Sequence, residues 1–297
     1  MRDLWQQALQ TFGRAGLTYI LMAVGLWLLL MVLVPQLIMI DYALRPLLPL
    51  DKIGGPEDVW TLANFRFLFT NALHRMVFLK TIWSSLVVTV VALGICYPIA
   101  FYLAKVARGP RIGWIMIGLI IPYWINELLR LFAWQLILSD NGIFNLVLMA
   151  VGAIHEPVNF RAGNGAVIVG MAYAYVLFMV FPLYNVMESL DRNQVDAARD
   201  LGASWFRIHR RIVVPHAKPG IAVGCIMTFM LAAGSIAAPQ LLGSPSSFWF
   251  TEIIYTNFET ADWNQGAAYA TVLAALCLAF VFLMLKVFRV SLKELAR

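Results

Sequence analysis

Six predominantly apolar runs, each long enough to cross a lipid bilayer, constrain this chain more than any other feature. They cover about residues 17–40, 81–104, 112–138, 165–187, 220–242 and 266–288. A helix needs about 20 mainly apolar residues to span a hydrocarbon core of roughly 30 Å. Lipid offers no hydrogen-bond partners to a bare backbone, so such runs form helices rather than open strands. Composition points the same way: 61% of residues are hydrophobic and 13% charged, with a mean hydropathy of +0.77, whereas soluble domains carry roughly 25% charged residues. The expected fold class is all-α: a polytopic membrane protein with six transmembrane helices forming one membrane domain, 17–297, behind a short segment, 1–16. The first run follows a basic stretch, as in a secretory signal. It far exceeds the roughly 7–15 residues of a signal h-region, so it is expected to remain as a helix.

A net charge of +6 would suit a nucleic-acid partner, but its distribution decides otherwise. With the N-terminus placed inside, fifteen of the 22 basic residues fall in inner segments: Arg2 and Arg14; Lys105, Arg108 and Arg111; Arg192, Arg199, Arg207, Arg210, Arg211 and Lys218; Lys286, Arg289, Lys293 and Arg297. Six lie in outer segments and Arg130 lies within a span. This is the positive-inside bias. It predicts that both termini are cytoplasmic, and no nucleic-acid partner is expected.

Cys96, Cys225 and Cys277 all fall inside spans, an odd number in lipid that reads as small packing residues rather than disulfides. His74, His155, His209 and His216 have no ligand spacing, so no metal site is expected. The chain has no GxxxxGK[ST] phosphate cradle and no visible nucleophile and base, so a catalytic site is not expected. Gly94 with Pro98, Pro122, Pro182, and Gly234 with Pro239 interrupt several spans. Proline frees a helix carbonyl, which lipid tolerates only where neighbours or a cavity satisfy it, as along a transport pathway. Gly and Pro are also generally commoner in membrane helices, so both readings stand.

Residues 1–16 are weakly amphipathic and suited to an interface. The long outer connection 41–80 carries Pro46, Pro49, Gly54, Gly55 and Pro56 as turn signals, and its stretch around Leu62 to Phe69 is apolar enough to pack on the membrane edge. After Asp140-Asn141-Gly142, a turn signal, FNLVLMAVGAI is too short to span and reads as an interfacial or re-entrant helix.

One connection differs from the rest. Residues 188–219 read ESLDRNQVDAARDLGASWFRIHRRIVVPHAKP, too charged for lipid, yet Val195, Ala198, Leu201 and Trp205 recur at helical spacing on one face. The pattern predicts a charged amphipathic hairpin that breaks at Gly202, with Pro215 and Pro219 at the start of the fifth span, where a missing donor does no harm.

The spacing from Asp196-Ala197-Ala198 through Gly202 and Ile212 to Val214-Pro215 resembles the EAA loop of ATP-binding-cassette importer permeases, with Asp196 for the glutamate and Val214 for the leucine. The resemblance implies the MetI-like fold of type I importers. It also implies a coupling helix that docks on a separate ATPase. Ala197, Ala198, Gly202 and Ala203 would allow close approach, Asp196 and Arg199 would supply polar contacts, and Trp205, Phe206 and Ile212 would be anchors. Implied partners are a second permease subunit, two ATPase subunits that bind ATP and Mg, and a periplasmic binding protein, all at a bacterial inner membrane. This chain itself would need no cofactor.

NFRFLF (64–69), YPIAFYLA (97–104), IPYWINELLRLFAWQLILSDNGIFN (121–145), FMVFPLYNVMESLD (178–191), PQLLGSP (239–245) and TNFETADWNQGAA (256–268) resemble the branch that carries spermidine and putrescine. Ser235 stands where that branch often has an acidic residue, so the resemblance leaves amino-acid-like, opine or other small solutes open.

Glu127 and Arg130 sit within the third span, where a charge costs roughly 2.5–3.5 kcal/mol on insertion scales. Their i, i+3 spacing allows an ion pair. Alternatively Glu127, with Tyr123, Trp124 and Asn126, faces a pathway and attracts a cation; Ser235 joins that candidate set. Glu252, Glu259 and Asp262 are either solvated or meet a binding protein. The rival classes are a self-contained secondary transporter and a membrane scaffold.

Overall fold

A computed structural model describes residues 2–52, 54–244 and 247–290, with side chains from residue 11 onward except Leu50. The basic residues Lys293 and Arg297, Pro245 of the 239–245 stretch, and the faces of the first ten residues lie outside what is described. Among the described residues the fold is all-helical, with no strand. It clusters into two compact units: Met1–Thr70 with Thr256–Thr271, and Asn71–Tyr255 with Val272–Arg297.

In the first unit, α1 (Arg2–Leu28) passes through a π-helical turn into α2 (Val34–Ala43). Gly13 interrupts α1 with φ 65° and ψ 171°, so the interfacial segment and the span are two helices meeting at a glycine. The apolar helix that follows, Thr11–Ala43, is longer than the expected 17–40 and almost wholly exposed within the chain. α3 (Ala63–Thr70) forms from the apolar stretch of the long connection and buries Leu68 while leaving Phe67 and Phe69 exposed.

The turn ahead of α3 is built on charge. Asp58 accepts from the Gly54 N–H (3.0 Å) and from Arg45 (2.9 Å), and Arg45 also reaches Asp41 at 2.9 Å. Asn64 and Asn264 donate to the carbonyl of Arg45.

In the second unit the core is α4 (Ala72–Phe101), α9 (Val176–Glu188) and α12 (Val214–Gly234), packed on small residues. α4 buries Thr81, Ser85, Val88, Ala92, Cys96 and Ala100 at three- and four-residue spacing, one helical stripe. α12 turns Gly220 and Gly224, four apart, towards α9; a Cβ on Gly220 would lie 2.5 Å from the Pro182 carbonyl oxygen. Close approach of this kind drives helix association in lipid, where apolar side chains alone gain little from meeting. Phe229 stacks on Phe280 of α15 (Trp263–Phe288), with centroids 3.8 Å apart.

Four more of the expected spans need adjustment. The second is longer, Ala72–Val106, because Asn71 caps its start by accepting from the N–H groups of Leu73 and His74. The third, expected as 112–138, is α5 (Pro110–Ile120) and α6 (Glu127–Ile137), bent by 97° at a break containing Pro122. The fourth is α8 (Gly165–Ala174) and α9, bent by 48°. The fifth does not run 220–242: its helix is Trp205–Gly234, and α13 (Ala237–Leu242) is separate. By length and apolarity the described residues thus hold four straight spans, or six if each bent pair is one. α7 (Ile143–Ala150) occupies the short apolar stretch expected to be interfacial or re-entrant. Its buried Asn145 donates to the carbonyls of Ser139, Asp140 and Val158.

Two predictions follow from this packing. Gly220→Val overpacks a backbone contact at a cost of about 1–3 kcal/mol and lowers the melting midpoint in detergent. Gly234→Ala, which meets nothing within 4 Å, leaves it unchanged. In the charged turn, the Gly54 N–H first, then Arg45, holds the Asp58 carboxyl below the ordinary carboxylate range. Its contribution is complete above the unfolded value of about 3.9 and is lost as pH falls through the lowered folded value. Amide exchange across 54–62 should accelerate on acidification in the wild type, and Asp58→Asn should abolish that dependence.

Candidate functional site

The loop between α9 and α12 is a rigid protrusion. Asp191 caps α10 (Arg192–Asp200) by accepting from the Asn193 N–H (3.0 Å), and Gly202 ends the turn with φ 73°, a left-handed backbone that favours glycine. Ser204 then caps α11 (Trp205–Ile208), which runs through a π-helical turn, His209–Val213, into α12. The second arm of the expected hairpin is therefore the first two turns of the fifth span's helix, and Pro215 lies at the start of α12 within that continuous rod.

Three side chains tie this base down. Lys105 Nζ, at the end of the second span, donates to the carbonyls of Glu188 (3.1 Å) and Leu190, a cation placed on a helix C-terminus. His216 Nε2 lies 3.0 Å from both the Val186 carbonyl and the Ser189 hydroxyl. His209 is buried and hydrogen-bonded through Nδ1 to Tyr97 Oη at 2.8 Å, with its ring 4.0 Å from Trp205 and 4.4 Å from Phe101.

Of the three anchors expected from the sequence, Ile212 packs against the buried cluster, whereas Trp205 and Phe206 stay largely exposed. Trp205 and Phe206 are 65% and 68% exposed, and Leu201, expected on the apolar face, is 88% exposed. Val195 and Ile208 are buried instead, with Ala198, Ala203 and Ile212 packed against their cluster. The reason is the break at Gly202, which rotates α11 out of register with α10, so one helical face cannot be continued across it. Asp196 and Arg199 are exposed and pair with each other at 3.6 Å. Ala197 and Gly202 are exposed, and with Leu201 they form the uncovered tip.

The second group of candidate residues gathers where the third and fourth spans break and the helix of the fifth ends. Tyr123, in the link between α5 and α6, donates its hydroxyl to the Ala174 carbonyl (2.5 Å) and accepts from the Leu177 N–H (3.1 Å). Asn126 caps α6 by accepting from the Leu128 N–H at 2.8 Å. In the fifth span Ser235 is extended and buried, and its carbonyl accepts from the Thr251 hydroxyl at 2.7 Å. Thr251 belongs to α14 (Phe250–Glu259), whose start is held by the Trp249 N–H on Glu252 (2.7 Å) and the Phe250 N–H on Thr81 (2.9 Å).

Tyr175, which no sequence argument singled out, sits at the fourth-span break with its hydroxyl beside Ser235 and Glu127. Glu127 and Arg130 do not form an ion pair. Arg130 lies over the Tyr123 ring, 4.4 Å from its centroid, because the 97° bend turns α6 back over that ring. Trp124 points away, 85% exposed.

Against known proteins, residues 97–290 match the family described as binding-protein-dependent transport system inner membrane component. The chain belongs to this family, and it is a membrane permease subunit of an importer. It is 34% identical over 243 residues to the spermidine/putrescine transport system permease protein PotB of Escherichia coli K12, covering 82% of this chain and 86% of that one. The PotB of Haemophilus influenzae is 31% identical over 86% of this chain and 88% of its own. The E. coli inner membrane ABC transporter permease protein YdcU is 30% identical over 74% and 75%. In fold, a bacterial ABC transporter involved in the import of the acidic polysaccharide alginate superposes with a TM-score of 0.73 at 17% identity, over 97% and 98% of the two chains.

Lys105→Met retains the apolar stem and removes both hydrogen bonds. Charged hydrogen bonds are worth about 1.5–3 kcal/mol each, so amide exchange across 188–204 should quicken by at least about tenfold in the variant.

Proposed function

We propose that this chain pairs with a second permease subunit, rests through the 188–219 loop on two separate ATPase subunits that bind ATP and Mg, and imports a small organic solute delivered by a periplasmic binding protein. The chain carries no ATPase site of its own in this reading, and both termini face the cytoplasm, as the basic-residue bias favours. The observation that carries the reading is the loop. A protrusion tied at its base by Lys105, His216 and His209 and tipped by exposed Ala197 and Gly202 transmits force without yielding. Asp196, Ala198, Arg199 and Ala203 would complete the docking surface, with Ile212 and Pro215 behind it and exposed Trp205 and Phe206 beside it. ATP binding would move these loops and bias an equilibrium between inward and outward access.

The solute proposed is a polyamine such as spermidine or putrescine, on the strength of the likeness to the PotB proteins. Glu127 and Tyr175 would supply the carboxylate and aromatic face that a cation requires. A different small solute is favoured by one observation: Ser235 offers no second carboxylate, while Arg130 brings a positive charge to the same region.

Reconstituted with its partners in proteoliposomes, the wild type should take up spermidine only with ATP. Gly202→Asp should abolish ATPase docking and uptake while the helical fold survives; unaltered uptake would remove the coupling assignment. Glu127→Gln should lower cation uptake about tenfold, one lost charged contact of roughly 1.4 kcal/mol or more, with assembly intact.

A further inference from the structure

We propose that Tyr123 is a positioning residue, a single oxygen that locks the break of the third span to the break of the fourth so that the two bends move as one joint. The inference rests on the permease reading above. The hydroxyl is committed on both sides. It donates to Ala174, the last residue of α8, and accepts from Leu177 in the first turn of α9.

These two bonds straddle the 48° bend. Any change in the angle between α8 and α9 must stretch at least one of them. Because the oxygen is carried by the link between α5 and α6, the same change is passed to the 97° bend. Backbone groups freed at a break have no water to turn to inside a membrane, so the bonds cannot simply be exchanged for solvent.

Little of Tyr123 is left for a solute. One ring face is covered by the Arg130 guanidinium, whose Nε and Nη1 are buried with no other hydrogen-bond partner, and Phe178 lies edge-on with its centroid 6.5 Å away. Arg130 is seven residues on, one turn into α6 beyond the bend, so it clamps the ring from the far side of the link. The remainder of the ring borders an apolar cavity of about 470 Å³ with Phe181, Asn185, Pro219 and Met227.

At its other end α9 leads into the loop held by Lys105. Thirteen residues at 1.5 Å rise make it an arm of about 20 Å. Movement of the loop therefore turns α9 about Tyr175, and the Tyr123 oxygen hands that rotation to α6, which carries Glu127. The sequence placed Tyr123 among solute contacts; the geometry assigns it to the hinge instead.

The test uses the assembled complex with its permease, ATPase and binding-protein partners in lipid nanodiscs and proteoliposomes. Tyr123→Phe keeps the ring and its contact with Arg130 and removes only the oxygen. Amide exchange is followed with and without ATP and vanadate, together with ATP-driven spermidine uptake. In the wild type, nucleotide trapping should alter exchange in both 176–190 and 121–130.

In Tyr123→Phe the response should persist in 176–190 and vanish from 121–130. Maximal uptake should fall by about tenfold, the loss of two hydrogen bonds at a moving joint, with the half-saturating concentration unchanged. Arg130→Lys, which keeps a cation but not the flat guanidinium, should weaken the 121–130 response without abolishing it.

A variant that assembles poorly yet responds and transports normally per complex overturns the proposal in favour of plain stabilisation. A raised half-saturation at unchanged maximal rate overturns it in favour of solute contact. If the wild-type complex shows neither nucleotide response nor uptake, the permease reading fails first and the joint falls with it.

Discussion

Breaking a helix inside a membrane is allowed only where protein atoms satisfy the groups that the break sets free. This chain breaks the third and fourth spans and ends the helix of the fifth at Gly234, and each of these points is closed by a side-chain hydrogen bond. Tyr123 serves Ala174 and Leu177, Asn126 serves Leu128, and Thr251 serves Ser235. These few bonds hold the bends in place. They also account for where polar side chains gather: Glu127, Tyr175 and Ser235 share one neighbourhood because the two breaks and the end of the fifth span's helix meet there.

The rest of the second unit is arranged to let backbones approach. Gly220 and Gly224 of α12 admit α9 at distances a methyl group would forbid, and the stripe of small side chains on α4 does the same on its own face. The loop after α9 lies outside the apolar region. Its base is fixed by charged and aromatic partners, whereas its tip leaves Ala197, Leu201 and Gly202 uncovered beside Asp196 and Arg199, a free surface for a partner in the proposed importer.

Membrane spans were legible in the sequence because span length follows directly from bilayer thickness, and the 196–215 motif was legible because its spacing is local. What escaped were choices made across long separations. Lys105 looked like one more inner-side cation, yet it caps a helix some 80 residues away. His209 was dismissed for want of metal-ligand spacing, and its actual partner, Tyr97, is 112 positions distant. The i, i+3 spacing does place Glu127 and Arg130 on one helix, α6, but the Arg130 guanidinium lies instead over the Tyr123 ring, Tyr123 and Arg130 being brought together only by the bend. Trp205 and Phe206 keep most of their surface exposed past the break at Gly202, although the Trp205 ring still meets His209.

By itself the sequence determined that the chain is helical, lipid-embedded and equipped with one charged loop, since hydrophobic length, charge bias and turn chemistry act within a few residues and need no knowledge of neighbours. Only the tertiary structure decided how sharply each span bends, which tyrosine closes the bends, and which histidine and lysine fix the loop. Those outcomes depend on hydrogen bonds between backbone groups and side chains far apart in the chain, and such bonds have a direction and a distance that no local pattern encodes.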